Sequence, residues 1–281
     1  MIDNFIYGLH PIVLIILVLG SSVAVALGCV FISRYIRKIK NINDPDDAEF
    51  KIETYSDAFG VAYAILISLI ITATWTVYKE TDHLWKKEVS FLNNLYDLSG
   101  DLNDLDKQRI RQNLRKYVDI VVKTEWPLLT QGKYSKIADS YLFDNFNIVY
   151  SIKQHNEKEV LIRTQLNEIV KNVNQVREAR ILDAASSLPD IMWIIIISFT
   201  IITLLVLSLA TQGSLFLHAI LQFLYALGAG LLLLLLIILD RPFYYGFYYA
   251  GGIALDHFNE LMQDWDKKEG KVSLQKNSNI G

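Results

Sequence analysis

The chain has 281 residues, of which 52% are hydrophobic and 20% charged, and its formal net charge is −3. Nothing in that balance supplies the basic surface that phosphate neutralisation needs, so nucleic acid is excluded as a partner. The single cysteine, Cys29, excludes an internal disulfide and any cysteine-based zinc site.

The charges are segregated along the chain. Pro11–Ser33 carries no Asp, Glu, Lys or Arg and is long enough to cross a bilayer, which takes about 20 apolar residues. Met1–His10 has no Lys or Arg, so the span reads as a membrane helix rather than a cleaved leader. Ala26-Leu27-Gly28-Cys29 has the outline of a lipoprotein box, but Leu27 is unusual in one, and a small cysteine packed in a membrane helix is the simpler reading. A mixed-charge loop, Arg34–Asp57, follows, with a turn at Asn43-Asp44-Pro45-Asp46. Ala58–Tyr78 is a second apolar span. On it Gly60, Ala64, Ser68, Thr72 and Thr76 recur every fourth position. Such a stripe of small and hydroxyl groups serves close helix packing or lines a pore; the spacing by itself favours packing.

Lys79–Pro189 is a polar insert that holds 17 of the 27 Lys and Arg and 16 of the 30 Asp and Glu. Apolar spacing predicts a helix over Thr81–Ser99, with Leu84, Glu88, Phe91, Leu92, Leu95 and Leu98 in its stripe and Gly100 at its end. A second helix starts after Asp104 as N-cap and carries Ile110, Leu114, Tyr117, Val118 and Val121. Glu125-Trp126-Pro127 is expected to end it, because proline disfavours helix at the preceding residue. A third segment carries Ile137, Tyr141, Leu142, Phe146 and Val149. The fourth, about Glu157 to Leu188, spaces Ile162, Leu166, Ile169, Val173 and Val176 in a 4-3-4-3 pattern. That seam packs inside the insert or pairs with a second copy. The acids of the insert are expected on solvated faces.

Ile191–Leu239 has no Asp, Glu, Lys or Arg over 49 positions, enough for two spans, Ile191–Ala210 and Leu215–Leu239, about a turn at Thr211-Gln212-Gly213-Ser214. Gln222 in the last span bonds a neighbouring helix or faces a water-filled cavity. The span leaves the membrane through Leu239-Asp240-Arg241-Pro242-Phe243. Asp240 and Arg241 are placed to bond helix ends and each other, Pro242 stops the helix, and the aromatics from Phe243 to Tyr249 suit the headgroup region. The five histidines have no metal-ligand spacing and no phosphate loop or nucleophile elbow is present, so neither an enzyme nor a cofactor is expected. The expected organisation is an all-α integral membrane protein: residues 1–78 with two spans, 79–189 as a helical extramembrane module, 190–250 as a helical hairpin and 251–281 as a polar tail, with Lys267–Gly281 disordered.

Asp57-Ala58-Phe59-Gly60-Val61-Ala62-Tyr63-Ala64, Glu125-Trp126-Pro127 and Leu239-Asp240-Arg241-Pro242-Phe243 together resemble the bestrophin-like family of membrane proteins, over about residues 10–250. The resemblance implies a scaffold shared with bestrophins, pentameric anion channels with bacterial relatives that pass cations, whose second span lines the pore. It implies a homo-oligomer, a pentamer, in a lipid bilayer such as a bacterial inner membrane, with the module and both termini cytoplasmic. Matching Trp75 to the tryptophan near the end of the bestrophin pore helix puts Ala58, Ala62 and Leu66 at the pore constriction. Two of these are small, unlike the bulky bestrophin gate. This face also differs from the Ser68/Thr72/Thr76 stripe, so Ala62 and Leu66 are the pore-lining candidates and Ser68, Thr72 and Thr76 the rival face. Aromatics, not an acidic run, follow Phe243, which argues against a calcium clasp. The leading function is an oligomeric channel passing small ions; the alternative is a non-conducting scaffold or sensor whose helical module recruits a partner.

Charge leaves orientation nearly balanced. Arg34, Arg37, Lys38, Lys40 and Lys51 lie on one side, and Lys79, Lys86, Lys87, Lys171, Arg177, Arg180 and Arg241 on the other. A reporter fused after Gly281 and one inserted between Asn43 and Asp47 are expected on opposite sides of the membrane, the C-terminal one cytoplasmic. A periplasmic C-terminal reporter would show that the cluster from Arg34 to Lys40 sets the orientation.

Overall fold

The computed structural model describes residues 10–40, 45–129, 132–153, 157–185, 188–211, 214–240 and 253–270. Among them nine α-helices run in chain order: α1 (Pro11–Lys40), α2 (Pro45–Leu98), α3 (Asp104–Ile120), α4 (Trp126–Leu129), α5 (Lys136–Ser151), α6 (Glu157–Ala185), α7 (Asp190–Ala210), α8 (Leu215–Asp240) and α9 (Ile253–Lys268). A 3-10 turn, Ser99–Asp101, follows α2, and a π-helical turn, Val121–Glu125, joins α3 to α4. Helices α1, α2, α7 and α8 each hold a stretch long and apolar enough to cross a membrane. The fold is therefore the all-helical one expected, with extramembrane helices between spans two and three.

Most of the expected loop Arg34–Asp57 is helical. α1 continues to Lys40 because Arg34–Lys40 contains no helix breaker. Pro45 opens α2, where its missing N–H costs nothing and its fixed φ suits the first turn. α2 then continues to Leu98 without interruption. The chain divides into two units, Met1–Tyr78 with Ser187–Pro242, and Lys79–Ser186 with Phe243–Gly281.

In the first unit α1 packs on α7 and α8, and α7 packs on α8. Tyr63, Ile67 and Ile70 of α2 bury against Ile196, Ala229 and Leu236. Ala26 and Cys29 bury against Leu204 and Ala226, so Cys29 is a packed thiol. Gln222 Nε2 donates to the Leu204 carbonyl of α7 at 2.8 Å, the inter-helix bond rather than a cavity contact. Ser208 Oγ lies 3.0 Å from Ser33 Oγ and 3.1 Å from His218 Nε2, tying α1, α7 and α8 together. Arg37 Nη2 donates to the carbonyls of Leu209 and Thr211, the latter at 3.0 Å, and so caps the C-terminal end of α7. Gln212 and Gly213, centred in the expected turn, lie outside the described residues.

The second unit has a core of its own, drawn from α2, α3, α4, α5, α6 and α9. The N-cap of α3 is Asn103, one residue before the expected Asp104; its Oδ1 accepts the Asp106 N–H at 3.0 Å. The expected end at Glu125-Trp126-Pro127 is not an end. Pro127 has no N–H to offer Lys123, and its ring would press on that carbonyl in a regular α-turn. The wider π turn makes room, and the helix goes on through α4 to Leu129. Most of the α6 seam is internal: Ile162, Leu166 and Val173 are buried in this core beside Val170, Ile169 packs against it, and Val176 is half-buried. The segment expected as a polar tail contributes α9. There Phe258, Leu261 and Trp265, spaced three and four apart, are buried, each contributing about 1.5–3 kcal/mol of hydrophobic stabilisation. Trp265 stacks on Tyr96 with ring centroids 4.6 Å apart and donates to Asn93 Oδ1 at 3.2 Å.

Helix α8 comes close to α1 at Gly230. A Cβ there would lie 2.9 Å from Ser22 Oγ and 3.1 Å from Leu19 Cδ2 of α1, whereas one at Gly228 would meet nothing within 4 Å. Gly230→Leu is expected to force α1 and α8 apart at a cost of about 1–3 kcal/mol. It should lower folded yield and melting temperature in detergent, with Gly228→Leu close to the parent. Equal effects of the two would show that this contact does not set the helix spacing.

Candidate functional site

Helices turn about 100° per residue, which places the side chains of α2 around its circumference. Tyr63, Ile67, Ile70 and Thr74 are buried and share one narrow arc. Tyr63 stacks on Phe199 at 6.4 Å and its hydroxyl accepts from Thr200 Oγ1 at 3.3 Å. Thr72 lies about 170° from the middle of that arc, Ala62 about 110° and Leu66 about 70°. Accordingly Ser68, Thr72 and Thr76 are exposed, Ala62 is exposed, and Leu66 is half-buried against the unit's core. The Ser68/Thr72/Thr76 stripe is therefore no packing seam within the unit. Each hydroxyl bonds its own helix: Ser68 to Ile65 O at 2.9 Å, Thr72 to Ser68 O at 2.8 Å and Thr76 to Thr72 O at 2.9 Å. With the proton committed to the backbone, each oxygen turns its lone pairs outward as an acceptor.

At the other candidate, Asp240 is 6% exposed and its Oδ1 accepts the Leu188 N–H at 2.6 Å. Leu188 immediately precedes Pro189, the N-cap of α7. The acid thus ties the end of α8 to the start of α7, the helix-end role read from the sequence. Its expected partners in the motif, Arg241, Pro242 and Phe243, lie outside the described residues. Among the described residues no three His, Cys, Asp or Glu side chains come together as metal ligands.

The most concentrated chemistry is in the second unit, where the sequence reading had placed solvated acids. Glu88 of α2 and Glu125 of the π turn are both fully buried, as are Arg177 and Arg180 of α6. Arg180 Nε donates to Glu88 Oε2 at 2.8 Å and its Nη2 to Glu125 Oε1 at 2.8 Å. Arg177 grips Glu125 with Nε, at 3.2 Å from Oε1, and with Nη2 on Oε2, and it also reaches Asp139 and the Ser135 carbonyl. Glu125 Oε2 further accepts the Ser135 N–H at 3.2 Å. The Tyr117 hydroxyl donates to Glu88 Oε1 at 2.5 Å. Burial and then the Glu88 charge raise the Tyr117 phenol well above its ordinary range, so it remains a donor. Burial by itself would raise the Glu125 carboxyl, but Arg180 and Arg177 outweigh it and hold the group below the usual carboxylate range. Both guanidiniums are raised despite burial, by Glu88 and Glu125 on Arg180 and by Glu125 and Asp139 on Arg177. The π turn brings Glu125 onto the buried side, next to Trp126. A usable signal was present in the chain. Glu88 falls within its helix's apolar stripe, and Arg177 and Arg180 continue the spacing of Val170 and Val173. Charged residues of opposite sign in the apolar phase of two helices mark a buried pair.

Comparison with known proteins agrees with this architecture. Residues 13–248 match the bestrophin-like domain family. Among solved structures, the chain is similar to a bacterial bestrophin homologue from Klebsiella pneumoniae. With a single-substitution form of it the identity is 14%, the alignment covers 89% of this chain and 98% of that one, and the TM-score is 0.67. A second crystal structure of the homologue gives 14%, 89% and 97%, with a TM-score of 0.65. At that identity the likeness is one of fold. No curated protein matches the chain.

The buried network carries a pH signature. A carboxyl whose folded pKa is depressed adds stability that is complete above its unfolded value, about 4.3 for Glu. That stability is lost as pH falls through the lower folded value. Glu125→Gln leaves two guanidiniums short of a charge and is expected to cost about 3–5 kcal/mol near neutrality. The gap in melting temperature between parent and Glu125→Gln should be wide at neutral pH and close below about pH 4. A gap that stays constant down to about pH 3 would show that the Glu125 charge does not stabilise the fold.

Proposed function

The chain belongs to the bestrophin-like family, and we propose that it is the subunit of an oligomeric channel passing small ions across the membrane. The observation that carries this reading is the uncovered face of α2. The helix buries Tyr63, Ile67, Ile70 and Thr74 and leaves Ala62, Ser68, Thr72 and Thr76 exposed. Polar groups at membrane depth are tolerated where they are satisfied locally or line a water-filled path. A ring of copies, five by analogy with bestrophins, with this face around its axis would create such a path. In that ring Ala62 and Leu66 stand at the constriction that the bestrophin alignment selects, and the outward lone pairs of Ser68, Thr72 and Thr76 form the rival lining. The second unit and both termini are assigned to the cytoplasm of a bacterial inner membrane. Arg241, next to Asp240, is assigned to the same helix-end junction.

The competing reading is a non-conducting scaffold or sensor whose helical module recruits a partner. It draws on the separate core of the second unit, which is built without reference to a pore. Purified protein in liposomes, assayed for monovalent ion flux, separates the two, since the scaffold passes nothing.

The lining is tested by single cysteines in a Cys29→Ala background. Cysteine at Ala62 or Leu66 should react with a small water-soluble thiol reagent, and cysteine at Ile16, on the exposed side of α1, should not, because a thiolate forms only where water reaches. Reaction at Thr72 and Thr76 but not at Ala62 or Leu66 would keep the channel and move its lining. Protection at every one of these positions would overturn the channel.

A further inference from the structure

The second unit has an open groove of about 580 Å³ between α5 and α6, a size within the range of small-molecule sites. Its aromatic walls are Tyr134, Phe143 and Phe146, and its polar groups include Asp139, Arg177 and Glu178. Two of the walls face water, Phe143 at 65% exposure and Tyr134 at 45%, an unusual cost for rings that nothing occupies.

The charge at this groove does not balance. Arg177 is the one cation of its lining, is 1% exposed, and spends two nitrogens on Glu125 inside the core. Arg180, behind it, is shared between Glu88 and Glu125. The acids paired with these arginines, Glu88, Glu125 and Asp139, thus set three carboxylates against two guanidiniums, and Glu178 adds a fourth at the groove. The excess negative charge stands at the mouth, where the Asp139 side chain is 45% exposed and Glu178 is exposed. Glu178 Oε1 accepts from Asn174 Nδ2 at 2.7 Å, and among the described residues Oε2 accepts nothing. The Asn174 bond holds the carboxylate in place. A cation entering the groove meets the Glu178 carboxylate, the Asp139 carboxylate whose Oδ1 accepts from Arg177, and aromatic rings that favour a positive charge over their faces. An anion meets those same carboxylates and a guanidinium that is already taken.

We infer that the groove between α5 and α6 is a binding site for an organic ammonium ion, with its apolar body against Tyr134, Phe143 and Phe146 and its charge between Asp139 and Glu178. The inference is independent of conduction, because the site belongs to the second unit alone.

The test uses the full chain purified in nanodiscs and phenethylammonium as probe, followed by saturation-transfer NMR and calorimetry. The neutral isostere phenethyl alcohol is the control for ring stacking without charge. Expected are saturable binding of the ammonium ion and about threefold to tenfold weaker binding of the alcohol. Glu178→Gln and Phe143→Ala should each weaken the ammonium ion by a similar factor. Both side chains are exposed, so melting temperature should hold and report an intact fold. Equal affinity for ion and alcohol, or binding indifferent to both substitutions, overturns the inference. So does occupation of the groove by protein: cysteine at Leu182, 71% exposed on the groove wall, should label with a maleimide in the Cys29→Ala protein. Protection of that cysteine in the assembled protein and labelling only after denaturation would assign the groove to a second copy instead. Ion flux measured on the same preparations distinguishes failure of this site from failure of the channel reading.

Discussion

Hydrocarbon accepts no hydrogen bonds, and the first unit is organised around that deprivation. Each spanning segment closes its backbone bonds within itself, which leaves side-chain hydroxyls and helix ends as the groups still needing partners. The hydroxyls of Ser68, Thr72, Thr74 and Thr76 return to their own helix. Those of Ser33 and Ser208 find one another and His218. The end of α7 is closed by Arg37, and its start is reached by Asp240 through Leu188. Small residues then allow contact at backbone range, as Gly230 does against Ser22. The polar residues of the spans so described act first as joints, and the conducting role proposed for the face of α2 would be an additional use of hydroxyls already bonded to their own helix.

The second unit meets the opposite difficulty. Surrounded by residues of both signs, it takes two acids and two arginines out of water and must compensate them internally. Desolvation of such ions is expensive, and their mutual attraction offsets it only when geometry and secondary hydrogen bonds are good. Here the Tyr117 hydroxyl, the Ser135 amide and the Ser135 carbonyl supply those secondary bonds. Four segments of the chain meet in the cluster, from Glu88, Tyr117 with Glu125, Ser135 with Asp139, and Arg177 with Arg180. An apolar core of the same volume would tolerate small shifts among these helices. A guanidinium held in both directions does not, so the cluster fixes their register.

Membrane architecture was legible because long charge-free runs have few other uses; the last two spans follow from them almost to the residue, while the helices of the first two run on into charged sequence. Helix continuity was less legible. The chain from Arg34 to Asp57 looks like a loop because it is charged and contains Pro45, yet charge does not interrupt a helix and proline at a first turn starts one. α9 was hidden by its composition, since its apolar residues, Phe258, Leu261 and Trp265 among them, are scattered among acids and lysines and declare themselves only by spacing. The buried charges were hidden by default assumptions about Glu and Arg, although their phase on α2 and α6 was on view. Of the pore candidates, Leu66 turns partly inward and Ala62 outward. That distinction depends on which arc of α2 its neighbours cover, a matter of tertiary contact that no periodicity within one helix reveals.

The π turn at Val121–Glu125 has a consequence for how this chain tolerates change in length. A π turn is an α-helix with one residue added, and the addition is absorbed locally. Loss of any single residue between Val121 and Glu125 would remove that extra residue and press the Pro127 ring against the carbonyl of a regular α-turn. It would also rotate Trp126 and Leu129 by about 100° and draw them back by about 1.5 Å. Trp126, beside Phe258, would leave α9, and Glu125 would leave both arginines. Substitutions that merely soften this turn are local events, whereas a one-residue deletion disconnects α9 and the charge cluster together. Among relatives of this chain, the spacing between Tyr117 and Pro127 is therefore expected to be more rigid than the identity of the residues that fill it.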